Sequence, residues 1–170
     1  MRLLVFAVFL LVVIETVEAE SAGSPPRLYV SKGACPFECC VYREWTANRD
    51  LELMDHPDGK PIAQIRKHEV VSARTGEIRT QPLRFRITQK GSDKEDVSIP
   101  IGSIVYLLHP VGEGYWLVWY QGKTIQMDPE YIGSGPRYQW WAKVKTHSGQ
   151  VGWVEMSLTA IPFDNTDACS

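Results

Sequence analysis

Beyond residue 19, no window of helical length carries a 3.6-residue apolar stripe without a Gly or Pro breaking it, so helices cannot supply the core. The chain offers instead short apolar or alternating runs cut by turn chemistry. Leu51–Met54 leads into the Asp55-His56-Pro57-Asp58-Gly59-Lys60 turn, Ile62–Ile65 follows, and Glu69–Ala73 ends at Thr75-Gly76. Arg84–Ile87 alternates with period two, ahead of a charged loop at Gln89–Asp96. Two hairpins complete the pattern. Ile104–Leu108 and Tyr115–Tyr120 flank His109–Gly114, with Gln121-Gly122-Lys123 turning the chain into Thr124–Gln126; Gln139–Thr146 and Gln150–Val154 enclose His147-Ser148-Gly149. Strands at this spacing predict an all-β barrel or sandwich with little helix.

The segment 1–19 stands apart. Met1-Arg2 gives a basic start, Leu3–Ile14 is an unbroken apolar run of 12, and Val17-Glu18-Ala19 places small residues at a signal-peptidase site. Twelve helical residues rise about 18 Å, short of the roughly 30 Å hydrocarbon core, so the segment is read as a cleaved secretory signal and not as an anchor. Export to the periplasm or the exterior makes disulfides the expected state of Cys35, Cys39, Cys40 and Cys169. A vicinal Cys39–Cys40 bond would close a strained small ring, so either remaining pairing joins Cys169 to the N-terminal cluster. The C-x-x-x-C-C spacing lacks the paired C-x-x-C arms of zinc sites and the C-x-x-C of thioredoxin-like ones, which leaves a Cys-dependent metal or redox protein as the weaker alternative.

Residues 141–154, Trp-Ala-Lys-Val-Lys-Thr-His-Ser-Gly-Gln-Val-Gly-Trp-Val, resemble the closing hairpin of bacterial SH3-like (SH3b) domains, where W-x-K-V is followed by a Gly turn and G-W-V. The stretch Leu51–Gly76 resembles that family's opening half, with His68 where a glycine often stands. Pro100–Met127 looks like a second, partial or interleaved copy. The implied organisation is a signal at 1–19, a flexible lead at 20–34, a Cys- and aromatic-rich elaboration at 35–49, and an SH3-like β domain at 50–163. That domain divides into lobes of 50–99 and 100–163, and a tail at 164–170 is tied down by Cys169.

Function is less legible. With 18 Lys plus Arg against 20 Asp plus Glu, there is no basic surplus for a nucleic-acid backbone or a membrane surface. His56, His68, His109 and His147 fall in or beside turns and read as solvated; no H-E-x-x-H, G-x-S-x-G or phosphate loop is present, and no cofactor is implied. The distinctive resource is aromatic. On a strand, Tyr115, Leu117 and Trp119 face one side and Trp116, Val118 and Tyr120 the other, and the adjacent Trp140 and Trp141 cannot both enter one core. The surplus rings either pack between two lobes or form a recognition surface, for which Tyr115, Trp119, Trp141 and Glu113 are the candidates. The expected function is a non-catalytic envelope module that binds a peptide, a peptidoglycan fragment or a partner protein. A purely structural or assembly protein is the alternative.

Overall fold

The computed structural model describes residues 23–88, 99–128 and 135–169, and within them the chain is all-β. The segment 1–19 and the Gln89–Asp96 loop lie outside the described residues. The strands are β1 (Tyr29–Lys32), β2 (Glu44–Ala47), β3 (Leu51–Met54), β4 (Pro61–Ile65), β5 (Val70–Thr80), β6 (Leu83–Arg86), β7 (Ile104–Pro110), β8 (Trp116–Tyr120), β9 (Lys123–Met127), β10 (Tyr138–Lys145), β11 (Val151–Met156) and β12 (Phe163–Asp164). Eight of them form one curled sheet in the order β12-β2-β5-β10-β11-β3-β4, with β1 also on β5, and the rest form a second sheet, β6-β7-β8-β9. Among the described residues the one helical element is a 3-10 turn at Gly112–Gly114, and no helix is long and apolar enough to cross a membrane.

The spine is β5. One edge pairs with β10 along Ser72–Thr80, so β2, at Val70–Ser72, and β1, at Glu77–Thr80, share the other. The sequence suggests a stop at Thr75-Gly76, yet the strand runs on to Thr80. Gly76 is a point of close approach: a Cβ there would come within 2.9 Å of the Ala34 and Trp141 carbonyl oxygens and overlap the Tyr42 hydroxyl. That hydroxyl donates to the Ala34 carbonyl, and burial raises its pKa, which keeps the donor protonated.

Alternation along the strands sorts the first core. Trp45, Leu53, Ile65, Ile78, Trp140 and Val144 point inward and are fully buried or nearly so. The Trp45 indole N–H donates to the Val41 carbonyl at 3.0 Å, its ring lies 5.5 Å from Phe163, and Phe37 meets Trp140 edge-on at 5.7 Å. The segment around Cys35–Tyr42 therefore caps this core. A second core, built on Val105, Leu107, Val118 and Met127 with Trp116 and Tyr120 packed against it, belongs to the smaller sheet.

Several sequence expectations need correction. The two sheets do not divide at 99/100: the larger takes 29–80 and returns for 138–164, and the smaller is an insertion spanning 83–127. Thr80 and Tyr138 are register partners across that insertion, a non-local pairing that local periodicity cannot reveal. The lead at 20–34 includes β1, ordered by its ladder to β5. His109 is not a solvated loop residue but lies within β7 at 2% exposure, its Nδ1 2.8 Å from the Pro110 carbonyl. His68, at the position where the SH3-like pattern often has glycine, adopts φ +70°, the left-handed conformation that glycine accepts most readily.

The C-terminal tail is zipped along residues 39–47. Phe163 and Asp164 pair with Ala47 and Thr46, Val41 N–H donates to Thr166 O at 3.0 Å, and Ala168 N–H donates to Cys39 O at 2.8 Å. Disulfides Cys35–Cys40 and Cys39–Cys169 complete it, with Cα separations of 5.5 and 5.7 Å. Cys169 thus joins the N-terminal cluster and the vicinal bond is avoided. Bridges of this kind persist in oxidising, extracytoplasmic compartments.

Candidate functional site

The curled sheet has one weak seam. β11 pairs with β10 along Val151–Met156 but with β3 at a single point, Trp153 opposite Met54. Gly152 lets the strands touch there, since a Cβ on it would come within 2.5 Å of the Met54 carbonyl. Extending the antiparallel register by two residues would set Glu155 against Glu52, like charges in directly opposed positions, which destabilises a ladder. The ladder goes no further. A cleft of about 370 Å³ occupies the opening, lined by Arg49, Asp50, Leu51, Glu52, Met54, Trp141, Val154, Glu155, Met156 and Ser157. This is within the size range of ligand pockets.

Trp141 reaches the cleft because of its neighbour. Trp140 fills the core, so period two turns Trp141 to the opposite face, where it pairs in register with Glu77 on one side and Glu155 on the other. Across that face Arg79 binds Glu77 Oε1 and Asp58 Oδ2, each at 2.8 Å, and Gln139 reaches Asp58 at 3.3 Å, which holds the β3–β4 turn over β5 and β10. Trp141 is 3% exposed, yet its indole N–H has no acceptor. A buried donor left unpaired costs about 1–3 kcal/mol.

The other candidates lie elsewhere, and the cleft holds none of them. Trp119, on β8, packs edge-on against Tyr29 at 6.1 Å, and Ser24 meets the Tyr106 hydroxyl at 3.3 Å, so this face of the smaller sheet meets the larger one. Trp119 accordingly lies between the two sheets. Tyr115 follows the 3-10 turn and is half-buried, and Glu113 lies within that turn. The candidate set is thereby split, with Trp141 alone on the seam. Sequence reasoning missed Glu52 and Glu155 because their juxtaposition depends on β3 meeting β11.

A wider depression of about 570 Å³ at the lobe junction is lined by Pro25, Pro26, Arg27, Leu28, Gln81, Pro82 and Tyr106. None of these residues contributes a buried, unpartnered polar side-chain atom. All four cysteines are bridged, and no group of three His, Cys, Asp or Glu among the described residues is placed to hold a metal ion. No family model matches the chain, and no curated protein or solved structure matches it either.

Proposed function

We propose that this protein is a secreted, non-catalytic binding module on an SH3-like scaffold that takes an extended peptide into the seam between β3 and β11. The observation that carries this reading is the cleft itself, with Trp141 in its lining, nearly fully buried and its N–H unpaired. Beyond the Trp153–Met54 contact the facing strand edges have no partner among the described residues, and a sheet edge without a partner accepts an added strand. Binding fits the lining better than catalysis does. It contains neither His nor Cys, and Glu52 and Glu155 are exposed, whereas a general acid is made by burying a carboxyl. The disulfides and the apolar N-terminal run support an extracytoplasmic setting.

The test is calorimetric titration with a mixed-sequence octapeptide library and, separately, with muramidase-digested peptidoglycan. Peptide binding that is lost in Ser157→Trp, which fills the cleft from its rim, with the melting temperature unchanged, supports the reading. Binding of peptidoglycan fragments alone reassigns the ligand to the cell-wall polymer, and peptide binding that survives the filled cleft removes the site.

A further inference from the structure

Resting on that peptide-binding reading, we infer that the seam selects a cationic segment, an extended strand whose Lys or Arg side chain sits between Glu52 and Glu155. Both glutamates lie on the face that carries Trp141: Glu155 is its register partner on β11, and Glu52 on β3 alternates with Leu53, which enters the core with Trp140. The other carboxylates nearby are already engaged. Asp50 accepts the Lys67 backbone N–H at 2.8 Å and pairs with Arg66 at 3.5 Å, and Glu77 is bound by Arg79. Glu155 receives a single long bond, 3.4 Å from Gln139, and among the described residues Glu52 has no side-chain partner.

Two exposed, under-used carboxylates on opposite rims of one cleft offer a cation placed between them two opposite charges. Charge alone would leave the depth of the site unexplained. The second, independent feature is Trp141, a residue of the same lining that is 3% exposed and whose indole N–H lacks an acceptor among the described residues. A backbone carbonyl of an entering strand supplies that acceptor. Residues on an extended strand alternate between faces, so a segment with a basic residue at every second position presents its charges to the glutamate side and its other side chains away. Arg49, the one basic residue in the lining, also gives an acidic segment only a single contact.

Calorimetry with three capped octapeptides of alternating Thr-Lys, Thr-Gln and Thr-Glu decides the matter. The Thr-Lys peptide should bind at least tenfold more tightly than Thr-Gln, and Thr-Glu should bind more weakly still. In Glu52→Gln/Glu155→Gln, exposed positions where folding is not at stake, Thr-Lys and Thr-Gln should bind alike, and Glu52→Lys/Glu155→Lys should reverse the order. The Trp141 indole N–H resonance, assigned with Trp141→Phe, should shift on Thr-Lys binding. If the unmodified protein binds Thr-Lys and Thr-Gln equally and Ser157→Trp still abolishes both, the charge assignment falls and the peptide module stands. If Ser157→Trp leaves binding intact, both fall.

Discussion

Removing the two disulfides separately should produce unequal losses whose ratio follows from the chain lengths they close. Cys39–Cys169 spans a sequence separation of 130 and Cys35–Cys40 a separation of 5. In the loop-closure model the first removes about 5 kcal/mol of unfolded-state freedom and the second about 2. The native contacts on either side of the long bridge, β12 on β2, Val41 on Thr166 and Ala168 on Cys39, are made by backbone groups and not by the sulfurs. The cost should therefore fall almost wholly on the unfolded side. We expect Cys39→Ser/Cys169→Ser to lose about 3–5 kcal/mol, and Cys35→Ser/Cys40→Ser about 1–2 kcal/mol, in urea unfolding. Substituting in pairs leaves no lone thiol to form a wrong bridge. The urea slope provides an independent check: freeing the long loop exposes more surface in the unfolded chain and should raise the slope for the first pair and leave it nearly unchanged for the second. Equal losses, or a steeper slope only for the short bridge, would refute the loop-closure reasoning and place the stabilisation in native-state contacts.

Three further outcomes are expected. Burial lowers the pKa of His109, so the native state holds it neutral while the unfolded chain takes up a proton below about pH 6.5; its contribution to stability is complete above that pH and is lost as pH falls toward the lowered value. The urea midpoint of His109→Gln should accordingly fall less between pH 7.5 and 5 than that of the unmodified protein, and an identical decline in both would contradict this. Gly76→Ala should cost about 1–3 kcal/mol in thermal unfolding because its methyl meets two carbonyl oxygens and the Tyr42 hydroxyl, and a neutral result would mean that the Cys35–Tyr42 cap is not packed as described. Trp45→Ala, which empties the first core beside Phe163, should cost about 3–5 kcal/mol; a loss under 1 kcal/mol would show that this core is not the one that holds the larger sheet.

Local chemistry made much of the fold readable. The alternation at Tyr115–Tyr120 and Gln139–Thr146, with Gly-bearing turns between runs, marks strands whose faces are decided by neighbours one or two residues away. Trp140 and Trp141 were correctly forced onto opposite faces by the same rule. What local pattern cannot contain is partnership at a distance. β1 and β12 are four and two residues long and exist because β5 and β2 offer them an edge. His109 follows a convincing strand and precedes Pro-Val-Gly, so it reads as a turn, and only the pairing of His109 with Leu117 and of Pro110 with Trp116 carries the strand through it. The site was half legible for the same reason: Trp141 stood out as a surplus ring, while Glu52 and Glu155, about a hundred residues apart in the chain, face one cleft only after β3 meets β11.

Thr80 and Tyr138 stand opposite each other on β5 and β10, so the chain leaves the larger sheet and re-enters it on a single rung. Everything between them, Gln81 to Arg137, is a guest hung from the end of what would otherwise be a plain hairpin. Such an arrangement separates the two parts for inheritance: insertions and deletions in the guest need only deliver the chain back to Tyr138 and keep a ring packed on Tyr29. Because β3, β11 and Trp141 all belong to the host, descendants of this design could diverge in the guest while keeping the seam unchanged.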